Sequence, residues 1–227
     1  MFKLFQKKEK PVFEKPEVDV RDLIAPASIS VASDRLTLGK RIAKSFFVFS
    51  YPRYVYTGWL SPLINLDALM DISLFYHPVD TEHIMKQLRK RVTEVMAEIL
   101  EREEKGLISD PTLETAYQDL ESLRTQLQTA QEKMFRLGIY LTIYADDAKQ
   151  IKEMETTLRS ILESRLIYIK PALYQQREGF ISCSPYGADK LIISTPMNTS
   201  PLSSTFPFVS FDLSSNEGIL FGINRHN

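Results

Sequence analysis

Cysteine is nearly absent from this sequence: 227 residues contain one, Cys183. A single thiol excludes an intramolecular disulfide and any Cys-rich metal site, and it points to a reducing compartment. Histidine is almost as scarce, at His77, His83 and His226, with no HExxH or HxxEH spacing. A metal centre would then need carboxylates for most of its ligands, and metal catalysis is not expected. The eight glycines form neither a GxxxxGKS/T loop nor GxGxxG, so no phosphate cradle is legible. No apolar run approaches the roughly 20 residues of a membrane span. The opening residues, Met-Phe-Lys-Leu-Phe-Gln-Lys-Lys, lack the apolar centre of a secretory signal. Charge of one sign is missing too. Twenty-eight Lys and Arg stand against 29 Asp and Glu, a net charge of -1, which disfavours a general binder of nucleic-acid phosphates.

What is present suits a globular chain. Hydrophobic residues make up 44% and charged residues 25%, too apolar for disorder. A chain of this length buries roughly 70% of its unfolded surface. Residues 1–27 are expected to form a basic, flexible arm, carrying Lys3, Lys7, Lys8, Lys10 and Lys15 with Pro11 and Pro16. Phe2, Lys3, Phe5, Lys7 and Lys8 form its candidate contact with an anionic lipid surface, where each basic residue contributes about 1 kcal/mol. The alternative is a solvated tail.

Residues 28–227 read as one domain. The aromatic and β-branched stretch from Ser45 to Tyr56 favours strands, with Pro52 marking an edge or a bend. A second strand is predicted over Met70–Tyr76, ended by Pro78, with Asp80 as a helix cap. Ile84, Leu88, Val92, Val95, Met96, Ile99 and Leu100 then recur at helical spacing up to Gly106. Asp110-Pro111 restarts the pattern, carried by Leu113, Ala116, Tyr117, Leu120, Leu123, Leu127, Ala130 and Met134. The short link between them predicts an antiparallel helical hairpin over about residues 80–134. Leu137–Tyr144 reads as a buried strand. A helix capped by Asp146 or Asp147 follows, and then a strand at Ile167–Ile169. That order predicts a crossover with its helix on one sheet face. The expected fold is α+β: a mixed β-sheet, helices packed on one face, and the long antiparallel hairpin inserted between two strands. Beyond Ala172 the signals weaken to a short helix near 174–180, a Ser/Thr/Pro-rich run over 185–207 and a final strand or hairpin near 217–224.

Candidate chemistry is thin. Asp146-Asp147 and Glu103-Glu104 sit where helix ends explain them. Ser182-Cys183-Ser184 is better read as a small buried thiol than as a nucleophile. His77 and His83 read as a strand-end and a surface residue. Tyr140, Tyr144 and Tyr168 suit contacts within a sheet more than base stacking. No active site emerges from the residues themselves.

Taken together, several segments resemble the N-terminal half of the conjugative type IV secretion ATPases, the TraC and TrbE group. The segments are Tyr51-Pro52-Arg53-Tyr54, the strand ending at Pro78, the charged hairpin, Met197-Asn198-Thr199 through Phe206-Pro207-Phe208, and Gly218 to Asn227. The resemblance spans about residues 30–227, and its C-terminal stretch is the most specific part. It implies a non-catalytic docking and assembly domain, cytoplasmic and peripheral to the inner membrane, that links a motor to a channel during DNA transfer. The partners it implies are inner-membrane channel subunits, the ATPase motor domain and further copies of the chain. It places the family's RecA-like ATPase domain where this sequence stops. ATP and magnesium are therefore expected only in a motor that continues the polypeptide or is encoded separately, with no cofactor in this chain. Phe206, Phe208 and Arg225 are candidate motor contacts, or else they complete the domain's own sheet. Leu123 and Leu127 are candidate partner or self-association contacts on the hairpin. The competing expectation is an accessory single-stranded nucleic-acid-binding protein that uses the basic arm and the strand aromatics.

Overall fold

A computed structural model describes residue 20 and residues 25–52 and 54–206. Strands β1 (Ile29–Val31), β2 (Leu36–Leu38) and β3 (Arg41–Ser50) form an antiparallel meander. A short helix, α1 (Ser61–Ile64), precedes β4 (Met70–Pro78). Helices α2 (Thr81–Glu104) and α3 (Pro111–Gln128) lead into β5 (Met134–Ala145), and α4 (Ala148–Glu163) leads into β6 (Tyr168–Pro171). Helix α5 (Gln176–Cys183), strand β7 (Thr195–Asn198) and a short α6 (Thr199–Ser203) close the described chain. The α+β class expected from the sequence is the class observed. The predicted strand near 217–224 lies outside the described residues, as does the arm apart from residue 20 and residues 25–27.

Strand β5 is the spine. Along one edge it pairs with all of β4, from Met70 opposite Ile143 to Pro78 opposite Phe135. Its other edge is shared between β3, which pairs with residues 140–145, and β7, which pairs with residues 134–137. A strand bonded on both edges in the middle of a sheet can be covered on both faces, and every residue from Leu137 to Ile143 is buried. Alternation sends Ile139, Leu141 and Ile143 to one face and Tyr140 and Thr142 to the other.

This geometry corrects two expectations. The sheet is not mixed: every pairing among the described residues is antiparallel. The β5–α4–β6 crossover does run between strands of like direction, but β3 lies between them and bonds both. Nor are the helices confined to one face. Helix α4 lays Ile151, Leu158 and Leu162 on the face of Ile139, Leu141 and Ile143, where Trp59, Leu60 and Leu63 join them. Helix α5 covers the opposite face, where Tyr140, Ala172, Cys183 and Leu191 pack with Phe47 and Phe75.

The two faces are fastened differently. On the α4 face, Glu155 accepts from Lys44 Nζ at 2.6 Å and from Arg159 Nη2 at 3.0 Å, and Arg159 Nη1 donates to the carbonyl of Ile169 at 3.0 Å. One carboxylate thereby ties α4 to β3 and β6. Partial burial pushes the Glu155 pKa up, but the hydrogen bonds from Lys44 and Arg159 outweigh it and hold the carboxyl below its ordinary value.

On the α5 face the fastening is a side-chain amide. The backbone N–H of Ser45 donates to Gln176 Oε1 at 2.8 Å, and Gln176 Nε2 donates to the Ser45 carbonyl at 3.2 Å and to that of Ala172 at 3.0 Å. Ser45 lies between the stretch of β3 bonded by β2 and the stretch bonded by β6, so the amide of Gln176 acts there as a one-residue strand. The Ser45 hydroxyl meets Thr142 Oγ1 at 2.8 Å on the same face. The approach is close enough to require glycine: a Cβ on Gly179 would stand 2.5 Å from that of Ser45.

Two measurements check these fastenings. Gln176→Ala strands the buried Ser45 N–H, while the Ser45 carbonyl keeps the Ala172 N–H at 2.9 Å, and is expected to cost about 2 kcal/mol in urea unfolding, with an unchanged denaturant slope. Glu155→Gln is expected to cost about 2 kcal/mol at neutral pH. Because the folded pKa of Glu155 is depressed, its contribution is present above the ordinary value of 4.5 and is lost as pH falls through the folded value. The stability gap between wild type and Glu155→Gln should therefore close on acidification below about pH 4.

Candidate functional site

The hairpin of α2 and α3 is the part of the chain that the sheet does not absorb. Asp80 caps α2, its carboxylate accepting from the N–H groups of Glu82 and His83 at 3.4 and 3.3 Å. Asp110 caps α3 through the N–H of Thr112 at 2.9 Å, with Pro111 as its first helical residue. At the far end of α2, Gly106 takes a φ of +65°. Its N–H bonds Glu103 and that of Leu107 bonds Arg102, a Schellman turn that stops the helix. Pro78 pairs with Phe135, and the Val79 N–H donates to the Met134 carbonyl at 3.1 Å. The chain therefore leaves the sheet and returns to it at one point, and the two helices pack on each other rather than on the strands.

Val92 and Val95 of α2 are buried, as is Leu127 of α3. The outer part of the arm presents apolar surface to solvent: Met96 and Leu100 are 47% and 48% exposed, Leu107 53% and Ile108 at the tip 90%. At the base, α3 borders a cleft of about 430 Å³ whose walls include Tyr54, Val55, Leu123, Gln126 and Pro201. Its floor is tied by Glu132, whose carboxylate accepts from the N–H of Ser200 at 3.0 Å, and beside it the Thr199 N–H donates to the Lys133 carbonyl at 3.0 Å.

A second polar centre lies on the α5 face. Asp189 accepts from the Tyr140 hydroxyl at 2.8 Å and from the Ile192 N–H at 2.8 Å, and pairs with His77 Nε2 at 2.9 Å. The Tyr140 hydroxyl also accepts from the Ile193 N–H at 3.1 Å. Burial, then the neighbouring Asp189, drives the Tyr140 pKa upward. The cluster pins the segment after α5 to the sheet. Sequence reasoning placed His77 at a strand end but missed Asp189, 112 residues away.

Of the candidate contacts, Leu123 is half-buried on the wall of the basal cleft. Leu127 is buried at 3% exposure, so it belongs to the packing of the hairpin base and not to a free face. Phe206 is 61% exposed. Phe2, Lys3, Phe5, Lys7, Lys8, Phe208 and Arg225 lie outside the described residues. The exposed residues that sequence reasoning left out of the contact set are Met96, Leu100, Leu107 and Ile108. For Met96 and Leu100 the signal was an apolar stripe on α2 broader than one partner helix covers, whereas Leu107 and Ile108 lie in the link after the helix ends at Glu104. Tyr140 is fully buried, which removes it from any base-stacking surface.

Among the described residues no group of three His, Cys, Asp or Glu is placed to hold a metal ion, and no helix is long and apolar enough to cross a membrane. Comparison with protein-family models and with curated proteins returns no match for this chain.

The one thiol is chemically quiet. Cys183 is buried, and desolvation raises its pKa to about 12 despite a hydrogen bond with Thr142. It should resist an aromatic disulfide reagent at pH 8 in the folded protein and react stoichiometrically once the chain is unfolded, as followed by thiolate release.

Proposed function

We propose that this chain is a docking and assembly module of a conjugative type IV secretion ATPase, with no chemistry of its own. In this reading it links a cytoplasmic motor to inner-membrane channel subunits during DNA transfer. The observation that carries it is the α2–α3 arm, a hairpin held at one sheet end with apolar residues exposed along its outer part. Burying such residues against another protein releases about 25 cal/mol per Å² of apolar surface. The resemblance to the TraC and TrbE group adds the choice of partner. Its segment Met197-Asn198-Thr199 falls on β7 and the start of α6, against the foot of the arm, where the Lys133 N–H donates to Thr199 Oγ1 at 2.9 Å. The exposed Phe206 follows directly, and the motor is expected beyond it. The location in this reading is the cytoplasmic face of the inner membrane, with Phe2, Lys3, Phe5, Lys7 and Lys8 touching anionic lipid.

Calorimetric titration of the purified chain with a separately purified RecA-like motor domain tests the reading, alongside thermal melts with ATP and magnesium. The expected result is a complex with the motor and an unchanged melting temperature with nucleotide, because a ligand raises that temperature only by binding the native state. An upward shift with ATP and magnesium overturns the assignment. So does single-stranded DNA binding that is steep in salt with no motor binding, which would establish the nucleic-acid reading instead.

A further inference from the structure

Strand β4 has one bonded edge and one open edge. It is the last strand of the sheet, and among the described residues no backbone group bonds its outer side. The Tyr144 N–H donates to the Leu69 carbonyl at 3.0 Å and the Val79 N–H to that of Met134 at 3.1 Å. In an antiparallel ladder this puts the odd-numbered residues of β4 in the bonded pairs with β5. The even-numbered ones, Met70, Ile72, Leu74 and Tyr76, turn their N–H and C=O groups outward. Nine residues in unbroken register make a long edge, and it lacks the usual guards: no Lys or Arg, no bulge, and no proline before Pro78. On the α4 face Met70, Ile72 and Leu74 are half-buried, packed against the margin of the core.

The described chain ends beside that edge. From β7, on the far side of β5, α6 brings the chain back to β4, where Thr205 Oγ1 meets the Tyr76 hydroxyl at 2.8 Å. Phe206 is the last described residue. The sequence that follows alternates: Val209, Phe211 and Leu213 are apolar, and Ser210, Asp212 and Ser214 are polar. That is the period of a strand with one buried face. The stretch from Val209 to Ser215 matches in length the stretch from Tyr76 back to Met70, about 20 Å of strand. Residues 206–208 reach about 10 Å, which spans the step from the Tyr76 hydroxyl to the strand backbone.

We propose that the open edge of β4 binds residues 209–215 of this same chain as an antiparallel strand, with Val209 opposite Tyr76, Phe211 opposite Leu74 and Leu213 opposite Ile72. The apolar residues then extend the core on the α4 face, and a slip of one residue would carry all three to the other face. The Thr205–Tyr76 bond sets where the pairing starts. A segment tethered so close to its anchor meets the edge at an effective concentration on the order of millimolar, which favours it over a second copy of the chain. Running toward Met70, it delivers residues 216–227 to the end of the sheet opposite the arm. The inference is independent of the motor, ATP and DNA.

Amide hydrogen exchange on the full chain, read residue by residue by NMR, tests the pairing. The N–H groups of Ile72, Leu74 and Tyr76 should exchange as slowly as those of Ser73 and Phe75, which β5 bonds; exchange at the rate of an open edge would overturn the proposal. Two proline variants read the register. Phe211→Pro removes an N–H that bonds Leu74 and should speed exchange at Ile72, Leu74 and Tyr76 by about 100-fold. Asp212→Pro removes an N–H that faces solvent and should leave them protected; equal effects of the two would overturn the register. Cross-linking identifies the occupant, and it decides the matter should Phe211→Pro fail to fold. Asp71→Cys/Ser214→Cys places two thiols opposite each other in a non-bonded pair, and oxidation should close a disulfide within one chain of 26.1 kDa. A cross-linked species of twice that mass, which assigns the edge to a second copy, or the absence of any disulfide would each overturn the proposal.

Discussion

The backbone of β5 is the constraint on which the rest of the structure depends. Twelve residues present N–H and C=O groups along two edges, and burial from Leu137 to Ile143 leaves none of them water to fall back on. Both edges must therefore be paired, which takes three strands drawn from distant parts of the chain: β3, β4 and β7. The arm leaves where β4 meets the start of β5, and β7 is bonded to the same few residues of β5.

The two faces of this strand differ in what specifies them. On the α4 side the seal is apolar, with one charged cluster at its margin, and apolar packing tolerates exchanges of similar volume. On the α5 side Ser45, Thr142 and Gln176 are all fully buried, and their hydrogen bonds are directional. Directional bonds between fixed partners allow one seating of α5 where packing alone would allow several.

How much was legible follows from how far each signal reaches along the chain. Asp80, Asp110 and Asp147 announce helix starts because a cap bonds N–H groups two or three residues away, and each is observed as a cap. The long strands β4 and β5 carry enough aromatic and β-branched residues to be read alone. By contrast β7 holds four residues including Pro196 and exists because β5 offers it an edge. The role of Gln176 depends on a partner 131 positions away, and a glutamine opening a short helix has no local mark of burial. Leu127 and Leu123 look alike in sequence, and their different fates were set by where the hairpin base meets the loop at Val55 and Pro201. The exposed apolar surface of the arm was half legible: the stripe on α2 was visible, but the periodicity that revealed it does not say which of its residues α3 would cover.

The footing of the arm has a mechanical consequence. Helix α2 is a rigid rod about 36 Å long, and its foot is clamped at the Pro78–Phe135 pair and the Val79–Met134 bond. A tilt of about 10° at that clamp carries the far end about 6 Å, roughly the pitch of one helical turn. Whatever grips Leu107 and Ile108 therefore holds the long end of a lever whose short end is the paired termini of β4 and β5. Torque applied at the tip arrives at Met134, beside Asn198 and Thr199, where the chain runs on toward Phe206.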